Sequence, residues 1–569
     1  MPHRWRMALL VGLAFCVYVF VSTTSRRTPG GSRDKRLEFL YNDSDFIQQR
    51  LRQIEKNPLH GLYGSSTTTA SKSSSSSHFS SHRFFRASYS QLPTIQYEFA
   101  KESIDDMLTR NFRREAVKQS FLHAWNGYKT YALGADELQP ISIQKKNPFG
   151  GVGATLLDSL STMLVMELNE EFEEVLPLIK NVNFFVDENL SVFETTIRCM
   201  GGLLSAYELA LAATRSRSSA GSNVGLAQEQ EYLLKKAEEI GLALLPAFDT
   251  LSGIPYYLFN PVKESSTSNT TFLADAGTLQ LEFFTLSHYT GNPIFAQKAQ
   301  AIIDHLDDYT FSSESMISGL FPNDINVQTG ELRPTHISFG AMGDSAYEYF
   351  LKMYILSEGK LPQYGRLYKT AIDKMKKYML LRTKETHYLY LPPYDVRRGT
   401  FTYKMDHLAC FAPGMLAMGA KIFNRPEDMK VAKGILESCV VMYRSSETNL
   451  SPELWTFDQR KFEQYDALSY DVEEAWVATS ASLQDMKVQR PDGIFITDPR
   501  YLLRPETVES LFILYRTTGD RKYQEYAWEI YQAIETYCKT PHAYAALKNV
   551  LSLNKNKKSA FNQIDSMET

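Results

Sequence analysis

Cysteine is scarce in this chain: five in 569 residues, with no C-x-x-C pair. That excludes a disulfide-scaffold fold and argues against a cysteine-built zinc centre. A surplus of basic charge is also missing. The formal net charge is −4, so no lysine and arginine excess is available to neutralise phosphates, and nucleic acid is not an expected partner. No H-E-x-x-H, Walker loop or G-x-S-x-G occurs, which removes the commonest signatures of metalloproteases, nucleotide hydrolases and serine hydrolases. No EF-hand loop occurs either, so spacing supplies no calcium site. The glycines of "GGVGATLLD" (150–158) precede a helical run but lack the Lys-Ser/Thr of a phosphate cradle. Alternating strand patterns are few, and "HYLYLPPY" (387–394) is the best hairpin candidate.

What is present supports a large core, with 43% hydrophobic and 12% aromatic residues. There is one long apolar run, "MALLVGLAFCVYVFV" (7–21), after Arg4 and Arg6. No A-x-A-like cleavage site follows it, so it reads as a signal-anchor helix over 7–22 behind a short cytoplasmic tail, 1–6, with a cleaved signal peptide as the alternative. The bulk of the chain is then lumenal. The sequons at Asn42, Asn189, Asn269 and Asn449 agree with that reading. Residues 23–110 read as a stem, because "SSTTTASKSSSSSHFSSH" (65–82) has too little apolar content to pack. From 111 to 569 the composition is globular, interrupted by a soft patch at 214–225 that reads as a loop.

The globular part is helical. Ile197, Met200, Leu203, Leu204, Tyr207 and Leu211 share one stripe, as do Tyr523, Tyr526, Ala527, Ile530 and Ile534. "LEFFTLSHYTGNPIFAQKAQAI" and "ESLFILYRTTGDRKYQEYAWEI" share one plan. A helix ends at Thr-Gly, Asn292 or Asp520 suits the next cap, and an aromatic-striped helix follows. Repeated helical hairpins of unequal spacing favour a closed α/α barrel over a solenoid.

Three acids stand at apparent helix starts: Glu194, Asp344 and Glu506. Acids favour helix N-termini through capping and the dipole, so each reads first as a cap, with a catalytic role as the alternative. Arg198 and Arg504 lie within a turn of Glu194 and Glu506. His407, ahead of an apolar stretch, reads as a core histidine.

Taken together and in order, "AWNGYKTYALGADELQP", "TLLDSLSTM", "VFETTIRCMGGLLSAY", "TLQLEF", "GDSAYEYFLK", "KMDHLACFAPG", "LSPELWTF" and "LLRPETVES" are highly specific. The chain resembles the class I α-1,2-mannosidases, glycoside hydrolase family 47, from about residue 113 to its end. The resemblance implies an all-α (α/α)7 barrel and an inverting hydrolase of terminal α-1,2-mannose on high-mannose N-glycans. It implies Glu194 as acid and Glu506 as base, with Asp344 and Glu453 as further active-site acids. Arg198, Glu348, Arg504 and Glu509 are implied to shape the sugar pocket, and Cys410 and Cys439 to form a disulfide, leaving Cys16, Cys199 and Cys538 unpaired.

It also implies a calcium ion whose threonine ligand lies in a C-terminal "FNTEAHP"-type segment. This chain holds no such segment, and Ser161 and Leu133 stand where the family has Asp and Trp. The expectation is therefore a mannosidase domain over 111–569 without the family's C-terminal end. The alternative is a weakly active or inactive glycan-binding or quality-control protein of the degradation-enhancing mannosidase-like kind. Met342 stands where the endoplasmic-reticulum subtype has arginine, which implies a Golgi membrane enzyme, with the endoplasmic reticulum as the alternative.

Overall fold

The computed structural model describes residues 92–217, 225–312, 317–467, 488–552 and 563–564. The expected tail and anchor, Asn42, Cys16 and most of the expected stem lie outside the described residues. Among the described residues, no helix is long and apolar enough to cross a membrane.

The chain is mostly helical. The first helix, α1 (Ile104–Tyr131), begins inside the stretch read as stem, capped by Ser103. Six helical pairs follow: α2 (Ala154–Val165) with α3 (Asn169–Ile179), α4 (Gly201–Arg217) with α5 (Gly225–Leu244), and α6 (Gln280–Thr290) with α7 (Ile294–Phe311). Then come α8 (Asp344–Leu356) with α9 (Pro362–Tyr378), α10 (Ala412–Ile422) with α11 (Pro426–Arg444), and α12 (Glu506–Thr518) with α13 (Lys522–Tyr537). The first members pack side by side in chain order, α2, α4, α6, α8, α10, α12, and the second members cover them.

Helix α1 joins the two ends of this arrangement. Arg113 pairs with Glu525 of α13, Ser120 donates to Glu535, and Phe112 meets Trp528 edge-on at 6.0 Å. On its other side Lys129 pairs with Glu174 of α3. Core side chains such as Leu286, Phe295 and Ile303 are fully buried between the layers. Burial of each such side chain stabilises by about 1.5–3 kcal/mol.

The two repeats fold alike. Gly291 and Gly519 close α6 and α12 at φ of 74° and 77°, the left-handed region where a side chain is strained. Asn292 accepts the Ile294 N–H, and Asp520 accepts the Lys522 N–H. The glycine-rich loop before α2 carries its own anion: the buried Asp136 carboxylate accepts N–H groups from Phe149, Gly151, Gly153 and Ala154. The donors a phosphate would need are therefore already taken.

The architecture is mostly helical, as expected, but the connections between pairs add what the all-α expectation left out. Alongside short helical turns such as Leu245–Phe248 and His407–Phe411, they hold short strands in small antiparallel sheets. "HYLYLPPY" does not fold on itself. Leu389–Tyr390 pairs with Leu381–Arg382, whereas Tyr394–Asp395 pairs with Ile337 and His336 and with Phe401 and Thr400. The two prolines between them carry no N–H for a ladder. Cys410 and Cys439 are bonded, tying the turn before α10 to α11, and Cys199 and Cys538 are free and buried. Of the soft patch 214–225, helix α4 takes residues up to Arg217, and 218–224 lie outside the described residues.

Candidate active site

Glu194 is placed by a strand and a cap. Leu190–Ser191 pairs with Leu258–Phe259, and the Ser191 hydroxyl accepts the Glu194 N–H at 3.1 Å. A π-helical turn, Thr195–Met200, then separates Glu194 from α4. Such turns concentrate at functional positions because they re-aim side chains. Arg198, on this turn, donates to the Glu194 carboxylate at 2.7 Å and lies 3.6 Å from Asp158 of α2. Gly202 permits that approach: a Cβ there would sit 2.3 Å from the Leu157 carbonyl oxygen. Burial pushes the Asp158 carboxyl up to about 6, with Arg198 opposing the rise and Glu194 adding to it. Asp275, on the short helix Leu273–Gly277, is pushed up to about 7 by burial and then by Glu194.

A second group forms around the starts of α8 and α12. A three-stranded sheet pairs Lys404–Asp406 with Leu454–Thr456, and Leu454–Phe457 with Ile494–Asp498. The His407 N–H donates to the Glu453 carbonyl at 2.9 Å. Arg504 clamps the Glu453 carboxylate with its Nε and Nη2, at 2.7–3.0 Å. Glu506, the first residue of α12, has Oε2 3.4 Å from His407 Nδ1, too poorly aligned for a hydrogen bond. The far ring nitrogen of His407 meets the Tyr443 hydroxyl at 2.7 Å.

Asp344 opens α8 and accepts the Ser345 N–H. Burial pushes its carboxyl up to about 7, and the charges of Asp406 and Glu506 add to the rise. Lys352 bonds Glu348 at 2.6 Å and lies 4.0 Å from Glu509. The Glu509 carboxyl is raised by burial and by Glu348, against Lys352.

The two groups share one end of the ring. The Ala274 N–H, beside Asp275, bonds the carbonyl of Met342, two residues before Asp344. The buried Glu282 of α6 accepts the Tyr349 hydroxyl of α8 at 2.8 Å and is pushed up to about 7 by burial. Every expected site residue thus lies in one group or the other. Glu194 and Arg198 are in the first; Asp344, Glu348, Glu453, Arg504, Glu506 and Glu509 are in the second.

Sequence reasoning missed Asp158, Asp275, Glu282 and Asp406, though all but Asp275 lie inside the recognised stretches and Asp275 lies just before one. It also read His407 only as core. His407 is 1% exposed, yet it faces Glu506. Carboxylates dominate the site, a donor chemistry that suits a hard cation. Among the described residues, however, no three His, Cys, Asp or Glu side chains converge as a ligand set. These residues alone do not make a calcium centre, and no chemical step below passes through one.

The profile of Glycosyl hydrolase family 47 matches residues 120–569. A mannosyl-oligosaccharide 1,2-alpha-mannosidase of Arabidopsis thaliana is 36% identical, over 79% of this chain and 72% of that protein. The endoplasmic reticulum mannosyl-oligosaccharide 1,2-alpha-mannosidase of Homo sapiens is 35% identical, over 77% of this chain and 57% of that one. The solved alpha-1,2-mannosidase from Trichoderma reesei superposes with a TM-score of 0.69 at 29% identity, covering 80% of this chain and 90% of its own.

Proposed function

The chain belongs to glycosyl hydrolase family 47, and on that premise we propose how its ring of carboxylates removes α-1,2-linked mannose from the N-glycans of glycoproteins. The observation that carries the reading is the meeting, at one end of the helical ring, of two carboxylate groups in different settings. Glu194 is held by Arg198, and Glu506 lies against the buried His407.

Inversion needs a proton on the leaving oxygen and a water activated on the opposite face of the sugar. In this reading Glu194 gives the proton to the glycosidic oxygen. Glu506 takes a proton from the water that attacks the anomeric carbon, and the mannose leaves as the β-anomer. His407, fixed by Tyr443, packs against Glu506 and limits where its carboxyl can lie. Arg504 and Glu453, locked as a bidentate pair, and Lys352 between Glu348 and Glu509 present fixed donors and acceptors to sugar hydroxyls.

A second assignment of the acid has its own support. Asp344, pushed up to about 7, retains a proton near neutrality. Wild type, Glu194→Gln, Asp344→Asn and Glu506→Gln assayed on a high-mannose N-glycan separate these roles. A loss of about 10²–10⁴-fold in kcat for Glu506→Gln, with the β-anomer released first by wild type, is the expected result. A first-formed α-anomer overturns inversion.

The finer reading is an (α/α)7 barrel anchored by residues 7–22 with its catalytic domain in the lumen of the Golgi. Secretory-pathway placement is supported by relatives such as the human enzyme named for the endoplasmic reticulum. Calcium dependence is tested by comparing turnover in calcium and in chelator.

A further inference from the structure

We infer that Asn189 and Asn269 carry N-linked oligosaccharides and that Asn449, despite its sequon, does not. The inference rests on the secretory placement proposed above.

The three triplets are alike in sequence, Asn189-Leu190-Ser191, Asn269-Thr270-Thr271 and Asn449-Leu450-Ser451, but differ in the fold. Asn189 is exposed, one residue ahead of the strand that leads to Glu194. Asn269 is exposed at the start of the strand Thr270–Phe272, with only its backbone engaged, the carbonyl accepting from Val327 N–H. Neither carboxamide makes a hydrogen bond among the described residues. A sugar on either nitrogen extends into solvent without displacing a partner.

Asn449 differs in its surroundings: it is half-buried rather than exposed. Its Oδ1 is buried without a partner among the described residues, and its backbone lies at φ +55°. Thr448, Leu450 and Ser451 are each at most 1% exposed. Pro452 follows directly and restricts Ser451 to extended backbone. A sugar on Asn449 would therefore have to open a packed segment that pairs, through Thr448, with the Val550 carbonyl.

In the transfer step the Asn Nδ2 forms a bond to the anomeric carbon of a polyprenyl-diphosphate-linked oligosaccharide. The carbon–oxygen bond to the diphosphate breaks, the lipid diphosphate leaves, and the amide gives up one proton. The sequon hydroxyls of Ser191 and Thr271 serve the acceptor while the chain is extended. Afterwards Ser191 caps the Glu194 helix and Thr271 is buried in its sheet.

The test expresses the full chain in a eukaryotic secretory host and maps each asparagine after peptide-N-glycosidase treatment in heavy-oxygen water. Cys410 and Cys439 are mapped without reduction in the same sample. Labelled aspartate at 189 and 269, unlabelled Asn449 and a formed disulfide are expected. Asn189→Gln and Asn269→Gln should each lose one glycan step on a gel, and Asn449→Gln none. Ser191→Thr should keep the glycan at 189 and Ser191→Ala should lose it. Label at 449, or bare 189 or 269 in disulfide-bonded chain, overturns the inference. Bare asparagines with reduced cysteines overturn the secretory placement, and this inference with it.

Discussion

Replacing Asp344 by asparagine should make the protein more stable and nearly inactive, and the stability gain should depend on pH. The carboxyl opens α8 in a buried position, where desolvation, helped by Asp406 and Glu506, raises it from 3.8 to about 7. Below the lower value it is protonated in both folded and unfolded chains, and the substitution changes little. Between the two values the unfolded chain releases the proton while the folded chain keeps it, so stability falls as pH rises. Above about 7 the loss is complete, and it corresponds to about 4 kcal/mol at 1.36 kcal/mol per unit.

Asparagine keeps the shape and its oxygen can still accept the Ser345 N–H, but it never ionises. The variant should therefore match wild type near about pH 4 and exceed it by as much as ~4 kcal/mol near about pH 8. Turnover should fall by about 10²-fold or more if the carboxyl serves as acid or positions the water. Thermal unfolding of both proteins across this range, with activity on the same preparations, is the measurement. A stability difference flat in pH, or a variant weaker than wild type at alkaline pH, refutes the assignment of a buried, proton-holding carboxyl.

Other outcomes follow from the same contacts. Arg198→Ala removes the link between Glu194 and Asp158; kcat should drop by about 10²-fold or more, with lysine restoring part of it. Ser191→Ala should cost about 1 kcal/mol of cap energy and lower the unfolding midpoint, whereas threonine should retain most of it. Replacing both Cys410 and Cys439 by serine should cost roughly 3–4 kcal/mol, read from unfolding with and without reductant. Met342 is 50% exposed at the rim, two residues before Asp344; Met342→Arg should narrow the products of high-mannose digestion toward a single once-trimmed isomer, and an unchanged glycan profile would remove this position from specificity.

Local sequence determined the helices, their pairing and their punctuation, because these depend on neighbours within about a turn. The stripes through Leu203 and Tyr526, and the Thr-Gly closures at Gly291 and Gly519, needed no distant partner to be read. The candidate acids were legible for the same reason: Glu194, Asp344 and Glu506 sit at helix starts, where their motifs also lie. The strands were not legible. Leu190–Ser191 and Lys404–Asp406 are too short to show a period, and they exist because a distant segment, Leu258–Phe259 or Leu454–Thr456, offers matching N–H and C=O groups.

Tertiary structure alone decided which charges share the site. His407 reads as a core histidine because an apolar stretch follows it; it is indeed buried, and only packing reveals that Glu506 lies against it. Asp158 and Asp275 look ordinary in sequence, yet they are raised to about 6 and about 7 because the folded ring strips them of water and sets Glu194 beside them. A side chain's type is local, but its desolvation and the field on it are sums over groups brought together from the whole chain.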